Sequence, residues 1–344
     1  MAWGYSIFGL DSGKQFTITN NEACAASRTL KTLCLCQRQM TQSVTGKTNV
    51  NMVDPKCKPA PLAYQNEPFL NSPEGRILRI LSEYSEPLSR FRREQIQDTV
   101  VFFGSARFYS KLDAQKRLTG IEAAAGEGAS AEQNLQLKQA VASLDMARYY
   151  EEARRLAFLL TKWSIQIPAR RRRFVVTTGG GPGIMEAANL GAYEAGGKTI
   201  GLNINLPFEQ MCNPYITPSL NFEFHYFFMR KFWFAYLAKA LVIFPGGFGT
   251  MDELFEILTL AQTQKLAKKI LVVIYGSEYW HRVVNFQAMV DAGTISAEDL
   301  DLFKIVDTPE EGFEYLREGL TKYHLVPESK RAGERVPEIA KTNP

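Results

Sequence analysis

Two glycine-rich segments are the first candidates for chemistry in this chain. They are Thr178–Gly183 (TGGGPG) and Pro245–Thr250 (PGGFGT), and each follows an apolar run and precedes a helical pattern. Because glycine lacks a Cβ atom, the backbone of such a turn can approach an anion closely. The N–H groups and the dipole of the following helix then attract negative charge. Both segments therefore predict phosphate binding, although either one alone could simply turn the chain between a strand and a helix.

Charged residues flank the second glycine-rich segment. Arg230 and Lys231 precede it, and Glu253 and Glu256 follow it three residues apart, so that these two acids share one helix face. An acid in a first helical turn commonly compensates the helix dipole, and this interpretation suffices for Asp252. For Glu253 we favour a functional role, because a carboxylate beside a phosphate site and an arginine suits acid–base chemistry.

Commoner nucleotide motifs are missing from the sequence. Neither glycine run matches G-x-G-x-x-G, and Asn203 and Asn205 end the strand that would supply the ribose-binding acid of a dinucleotide site. The segment 196–199 (GGKT) resembles the end of a P-loop, but Ala192 replaces its first glycine and the segment leads from a helix into a strand. We therefore expect neither a nicotinamide cofactor nor a P-loop.

Metal and triad chemistry are also disfavoured. The three histidines, His225, His281 and His324, show no metal-binding spacing, and the chain has no G-x-S-x-G elbow. His225 precedes the helix of Arg230 and could line the site, although a packed or surface role is the simpler interpretation. We predict no metal and no cofactor.

Composition limits the remaining classes. The chain has 344 residues, of which 45% are hydrophobic and 22% charged, and a net charge of +4. This is typical of a globular protein, and the small net charge argues against a general nucleic-acid binder. The basic run Arg170–Arg173 is best interpreted as a solvated loop. No apolar stretch approaches the length of a membrane span.

The chain divides into three predicted parts. Residues 1–75 are rich in Thr, Asn, Ser, Cys and Pro and indicate an irregular leader and linker. A nucleotide-binding domain follows at 76–325, with a solvated, partly helical insertion at about 110–140, and residues 326–344 form a flexible tail. We expect a cytoplasmic protein with free thiols. Two alternatives stay open: residues 1–39 could be a plastid-targeting extension, or Met40 could be the true start.

Strand and helix patterns alternate through the middle of the chain. Predicted strands at 99–103, 174–178, 198–204, 221–226, 240–244, 270–275 and near Ile305 are separated by predicted helices at 143–163, 183–195, 228–239, 251–264 and 278–292, and a helix at 309–323 comes last. This order predicts an α/β fold: a Rossmann-like, doubly wound parallel sheet in three α/β/α layers. Such a sheet binds ligands at the carboxyl ends of its strands, which is where both glycine turns fall.

The segment PGGFGTMDE (Pro245–Glu253) resembles the P-G-G-x-G-T-x-x-E signature of the LOG family, often labelled lysine-decarboxylase-like. Arg230 and Lys231 match the family's R-K pair in spacing. TGGGPGIMEAAN (Thr178–Asn189) and FFGSAR (Phe102–Arg107) are similar to its first glycine turn and its opening strand. The resemblance covers roughly residues 76–323 and is closer to the longer bacterial-type members than to the compact plant ones.

The resemblance implies a phosphoribohydrolase, in which water cleaves the N-glycosidic bond of a purine nucleoside 5′-monophosphate to give free base and ribose 5-phosphate. It implies Arg230 and Glu253 as catalytic residues and a homodimer or higher oligomer. It implies these substrate-binding residues: Ser105, Gly180, Gly181, Gly183, Met185, Lys231, Gly246, Gly247, Gly249, Thr250 and Glu256. Despite the label, no Schiff-base lysine has a recognisable setting, so we do not expect amino-acid decarboxylation.

This sequence departs from the family pattern near the base pocket. Phe227-Phe228-Met229 stands where short members have Met-His before x-R-K, and Lys239 replaces an acid. AMP is therefore at least as good a candidate substrate as a cytokinin riboside 5′-monophosphate. A non-catalytic nucleotide-binding or signalling protein of the same superfamily is the alternative, and it would need the glycine turns but not the Arg230–Glu253 pair.

Overall fold

The computed structural model describes residues 60–125, 130–206, 212–266 and 268–325. Its centre is a seven-stranded sheet in the order β4-β3-β2-β1-β5-β6-β7, with every neighbouring pair parallel. The strands are β1 (Thr99–Phe103), β2 (Val175–Thr178), β3 (Thr199–Ile204), β4 (Asn221–Phe224), β5 (Ala238–Ile243), β6 (Leu271–Tyr275) and β7 (Phe303–Val306). The predicted doubly wound, Rossmann-like sheet is confirmed.

Helices cover both faces of the sheet. They are α1 (Glu67–Leu70), α2 (Arg76–Arg93), α3 (Lys111–Ala125), α4 (Ala131–Ser164), α5 (Ile184–Glu194), α6 (Phe227–Leu237), α7 (Phe248–Gln262), α8 (Ser277–Val283), α9 (Phe286–Asp291) and α10 (Pro309–Leu320). Buried apolar residues of α4, α5 and α10 form one core with the sheet, and those of α2, α6, α7 and α8 form a second core on the other face. The predicted three-layer architecture is therefore present.

The sheet reverses its order beside β1. Strands β1 to β4 extend in one direction and β5 to β7 in the other, so β1 pairs with both β2 and β5. All five residues of β1 are buried, as expected of a central strand in a parallel sheet. The carboxyl ends of β2, β1 and β5 consequently lie side by side at the switch point, where open α/β sheets form their binding crevice.

Several element boundaries differ from the sequence-based prediction. The predicted helix 228–239 ends at Leu237, because Ala238 already pairs with Thr99 and begins β5. The predicted helix 278–292 is two helices, α8 and α9, since Val284 has an extended backbone and the Asn285 side chain accepts a hydrogen bond from the N–H of Ala288. Apolar spacing alone does not reveal such a break.

The segment at 110–140 contains more helix than its polar composition indicated. It forms α3 and the first ten residues of α4, which begins at a capping box formed by Ser130 and Gln133. Helical structure also begins at Ala63, within the segment 1–75 that we predicted to be irregular, with a short 3-10 turn and then α1. Arg79 of α2 donates hydrogen bonds to the carbonyl of Leu70, the last residue of α1, and to that of Ser72 in the loop that follows.

None of the helices within the described ranges is long and apolar enough to cross a membrane. Of the five cysteines, only Cys212 belongs to the described residues, where it is an exposed free thiol. The other four cysteines, Cys24, Cys34, Cys36 and Cys57, for which we also expected free thiols, lie outside the described residues, as do residues 1–39 and the tail at 326–344.

The packing of α4 against α5 depends on one glycine. A Cβ atom on Gly191 would lie 2.0 Å from the carbonyl oxygen of Arg154, whereas one on Gly120, in the exposed face of α3, would meet nothing within 4 Å. We expect Gly191→Ala to lower the free energy of unfolding by about 1–3 kcal/mol, because the two helices must separate.

The matched control is Gly120→Ala, which should raise the free energy of unfolding by about 0.5–1 kcal/mol because alanine loses less backbone entropy in a helix. Urea denaturation followed by circular dichroism measures both. Equal effects of the two substitutions would contradict the close α4–α5 contact.

Candidate active site

The first glycine turn runs from the end of β2 to the start of α5, and hydrogen bonds to buried polar side chains fix its conformation. Gly180 has φ +76°, and its N–H donates to Thr178 Oγ1 (3.0 Å). Asn213 donates from its side chain to the carbonyls of Gly180 and Gly181 (both 3.1 Å) and to Asn189 Oδ1 (3.0 Å). These bonds fix the turn before any ligand binds.

The second glycine turn joins β5 to α7. Thr250 packs so closely on Gly246 that a Cβ atom there would lie 2.1 Å from Thr250 Oγ1. The hydroxyl of Tyr279 donates to the carbonyl of Gly246 (2.8 Å). Space within 4 Å of the Cβ positions of Gly247 and Gly249 is open. The first N–H groups of a helix have no partner within it, so the start of α7 presents donors beside this open backbone.

Ser105 links the two glycine turns through its backbone. Its N–H donates to the carbonyl of Pro245 (2.9 Å), and its carbonyl accepts from the N–H of Ile184 (3.1 Å). Gly183, with φ +72°, allows this contact, because a Cβ atom there would lie 2.3 Å from the carbonyl oxygen of Ser105. The loop after β1 thus holds both glycine turns at fixed separation.

Arg230 lies in the first turn of α6 and reaches the first glycine turn. A Cβ atom on Gly179 would lie 2.8 Å from Met185 Sδ and 3.1 Å from Arg230 Nη2. Burial lowers the pKa of the Arg230 guanidinium, and the charge of Glu253 partly offsets this. Its Nε is buried and has no hydrogen-bond partner among the described residues. A half-buried cation with a buried, unused donor favours an anionic ligand.

Glu253 lies in α7 and is only 8% exposed. Burial raises the pKa of its carboxyl to about 7, while the positive charges of Lys231 and Arg230 act in the opposite direction. Lys231 Nζ lies 3.4 Å from Glu253 Oε1. A carboxyl that exchanges its proton near neutral pH is suited to general acid–base catalysis.

Lys231 is surrounded by carboxylates. Its Nζ lies 2.8 Å from Asp252 Oδ2 and 2.7 Å from Glu256 Oε2, in addition to Glu253. Burial lowers the pKa of the ammonium, but the hydrogen bonds to Asp252 and Glu256 and the nearby negative charges outweigh this effect and raise it above its ordinary value. All three donor directions of Lys231 therefore point to protein groups rather than to open space.

The residues that the sequence predicted for the site lie close together in the structure. The structure gathers at one edge of the sheet the residues that were expected to act together: Arg230 and Glu253, together with Ser105, Gly180, Gly181, Gly183, Met185, Lys231, Gly246, Gly247, Gly249, Thr250 and Glu256. Their binding and catalytic roles remain predictions. His225 is exposed, and its backbone N–H donates to Glu83 Oε1 (2.8 Å).

The sequence-based prediction did not include three residues that support the candidate site. Gly179 lies against Arg230 and Met185, Asn213 fixes the first glycine turn, and Glu83 of α2 binds the chain entering α6 through the N–H groups of His225 and Tyr226. The run of three glycines was a signal for Gly179. Asn213 is distant in sequence from the glycine turn that it supports, and Glu83 is distant from the start of α6, so no local pattern reveals either residue.

A known protein family matches part of the chain. Residues 185–316 match the protein family described as "Possible lysine decarboxylase". No curated protein sequence matches the chain significantly. The matched range contains Met185, Arg230 and the whole second glycine turn with Glu253, whereas Ser105 and the first glycine turn precede it.

Similar solved structures include two proteins that handle the molybdenum cofactor. The molybdenum cofactor binding protein of Rippkaea orientalis is 18% identical, with a TM-score of 0.35 over 49% of this chain and 86% of its own. The molybdenum cofactor carrier protein of Chlamydomonas reinhardtii is 17% identical, with a TM-score of 0.37 over 65% of this chain and 99% of its own. At 17–18% sequence identity, similarity to these structures concerns the fold and indicates neither a shared ligand nor a shared activity.

The raised pKa of the buried Glu253 carboxyl predicts a pH-dependent effect on stability. Above pH 7 the folded protein holds Glu253 ionised, at a cost of about 3 kcal/mol relative to the unfolded chain, whose glutamate ionises near pH 4.5. Glu253→Gln should remove this cost. At pH 8 the variant should be more stable than the unsubstituted protein by up to about 3 kcal/mol, and the advantage should fade as the pH drops from 7 to 4.5.

Urea denaturation at pH 8, 6.5 and 5 tests this expectation. The control is Asp252→Asn, whose side chain is largely exposed, and we expect it to change stability by about 1 kcal/mol or less. A stability difference for Glu253→Gln that did not vary with pH would show that the carboxyl has an ordinary pKa.

Proposed function

We propose that this protein is a hydrolase that cleaves the N-glycosidic bond of purine nucleoside 5′-monophosphates. Its residues 185–316 match the family described as "Possible lysine decarboxylase", and its motifs resemble those of the LOG family. The substrates are AMP or an N6-modified AMP such as a cytokinin riboside 5′-monophosphate. The products are the free base and ribose 5-phosphate. The observation that carries the proposal is the buried Glu253 carboxyl, with a pKa of about 7, close to the half-buried Arg230 at the two glycine turns.

Glu253 supplies the acid–base chemistry in this proposal. As the bond between C1′ and the base nitrogen breaks, positive charge develops on the ribose, and a nearby carboxylate stabilises it. The same carboxylate accepts one proton from the attacking water while the water oxygen bonds to C1′. That proton then passes to the departing base. A pKa of about 7 allows Glu253 both to accept and to release the proton at neutral pH.

Arg230 supplies fixed positive charge. The guanidinium is charged at any physiological pH, and its planar fork can bind phosphate or the developing negative charge of the base with two parallel hydrogen bonds. The buried Nε without a partner among the described residues is one donor available for this purpose. In this proposal, the backbone at Gly247 and Gly249 and the start of α7 hold the 5′-phosphate.

Lys231 has a different role in this proposal from the substrate binding that the resemblance implied. Its ammonium group already contacts Asp252, Glu253 and Glu256. We therefore assign to it the positioning of Glu253 and the tuning of its charge. Glu256 shares this role, since its carboxylate accepts a hydrogen bond from Lys231 at 2.7 Å.

A homodimer or higher oligomer remains part of the proposal. Aromatic side chains are exposed near the site: Phe248 at the start of α7 is 93% exposed, and Phe227 and Phe228 of α6 are more than half exposed. Exposed apolar area of this kind is typical of interfaces between subunits. Light scattering coupled to gel filtration measures the oligomeric state directly.

The central experiment compares Glu253→Gln with the unsubstituted protein on AMP. We expect release of adenine to fall by at least about 10³-fold, because both charge stabilisation and proton transfer are lost. AMP binding measured by calorimetry should change little. Asp252→Asn, at the neighbouring and largely exposed carboxylate, is the control and should retain most of the turnover.

The outcomes separate this proposal from its alternative. The hydrolase assignment is supported if the unsubstituted protein forms free adenine and ribose 5-phosphate from AMP and the Glu253→Gln variant does not. Equal turnover by both proteins would contradict the assignment of Glu253. Tight AMP binding without turnover by the unsubstituted protein would instead support a non-catalytic nucleotide-binding or signalling protein.

The pH profile tests the role of Lys231. Because Glu253 must be ionised to act as a base, kcat/KM should rise with pH up to about 7 and then level off. Lys231→Met removes a positive charge that stabilises the carboxylate. It should therefore move this rise to higher pH by about one unit. Ionisation of the AMP phosphate is common to both proteins, so the difference between profiles reports on Glu253.

The control for this measurement is Lys265→Met, which removes an exposed lysine just beyond the end of α7 and should leave the profile unchanged. A Lys231→Met profile that superimposes on that of the unsubstituted protein would mean that Lys231 does not act on Glu253.

A further inference from the structure

A second concave site lies at the opposite edge of the sheet. It is a cavity of about 280 Å³ bounded by the end of α4, the loop that enters β2 and the turn that enters β3. These are the amino ends of the strands, whereas both glycine turns follow carboxyl ends. The cavity is therefore separate from the candidate active site.

Five cationic side chains of the described residues line the cavity, namely Lys198 and the four consecutive arginines at 170–173, and no carboxylate of these residues does. Arg173 Nη2 lies 2.7 Å from Oδ2 of the buried Asp98. Lys198 pairs with Glu94, whose charge also attracts Arg172. Two carboxylates, Asp98 and Glu94, therefore offset the five cations within the part of the chain that the structure describes. Arg170 and Arg171 form no ion pair with any part of the chain that the structure describes.

A buried hydroxyl also lines this cavity. Thr161, in the last turn of α4, is 3% exposed, and its Oγ1 has no hydrogen-bond partner within the described ranges. Buried polar atoms are nearly always paired in folded proteins, and an unpaired one indicates a missing partner. Gly197 makes room for this residue, because a Cβ atom there would lie 2.2 Å from Thr161 Cγ2.

We propose that this cavity binds a small phosphate-bearing anion, of the size of a pyrophosphate group or a sugar phosphate. Arginine forks match the geometry of phosphate oxygens, and the Thr161 hydroxyl can donate to one of them. The cavity volume of about 280 Å³ lies just below the range of roughly 300–1,000 Å³ that is typical of drug-sized ligands, which suits a small anion. The site is concave, and the net charge of the chain is only +4, which favours a small anion over a nucleic-acid strand.

Titration calorimetry of the full chain with inorganic pyrophosphate tests the proposal. The variant Arg170→Gln/Arg171→Gln should bind at least about tenfold more weakly, since two charge-assisted contacts are lost. Thr161→Val keeps the shape of the side chain and should weaken binding several-fold. The charge-matched control is Lys116→Gln/Lys138→Gln on α3 and α4, far along the chain from the cavity, and it should bind normally.

A second control separates this site from the candidate active site, where pyrophosphate could also bind. Arg230→Gln should leave binding at the cavity intact, and Arg170→Gln/Arg171→Gln should leave the candidate active site intact. Loss of all binding in Arg230→Gln would overturn the proposal. Absence of binding by the unsubstituted protein, or equal weakening by the lysine control, would overturn it as well.

Two further outcomes are informative. The Thr161→Val variant could be more stable than the unsubstituted protein and still bind pyrophosphate as tightly. That result would overturn the assignment of the Thr161 hydroxyl to the site, because the unpaired hydroxyl would then be only a packing defect. A 20-base-pair DNA duplex that displaces pyrophosphate and binds more tightly would overturn the small-anion site in favour of a nucleic-acid surface.

Discussion

Parallel pairing of β1 with β2 on one side and β5 on the other is the constraint on which the candidate active site depends. It brings together two glycine turns that are more than sixty residues apart in the chain. The loop after β1 then connects them, because the backbone of Ser105 bonds to both Pro245 and Ile184. If β1 paired differently, Arg230 and Glu253 would have no shared crevice to face.

Charge burial is the second constraint. Desolvation disfavours the ionised forms of both Glu253 and Arg230, and each partly relieves the other through its opposite charge. Lys231 adds a further positive charge but shares it among three carboxylates. The net result is a glutamate with a pKa near neutrality, which is a costly arrangement in a folded protein and is typical of sites that do chemistry.

Positive charge is distributed over both edges of the sheet. At the carboxyl edge, three acids contact Lys231, and the half-buried Arg230 keeps an Nε donor that has no partner among the described residues. At the amino edge, Arg170 and Arg171 stay unmatched by any residue that the structure describes, beside a buried hydroxyl without a partner. A net charge of +4 conceals this difference, because it reports the sum and not the positions.

The sequence by itself determined the class of fold and the composition of the candidate site. Alternation of strand and helix patterns is local information, and so are the two glycine turns and the spacing of Arg230, Lys231 and Glu253 around them. The ends and breaks of helices were harder to predict from the sequence. The end of α6 depends on the pairing of Ala238 with Thr99, and the break between α8 and α9 depends on a cap by Asn285.

Only the tertiary structure decided how these residues act on one another. The pKa of Glu253 depends on how completely α7 and its surroundings exclude water, and the role of Lys231 depends on three acids that converge on one nitrogen. Asn213 and Glu83 support the site from distant parts of the chain. Distances and burial arise from packing between segments remote in sequence, so a linear pattern can name the participants but cannot give their interaction energies.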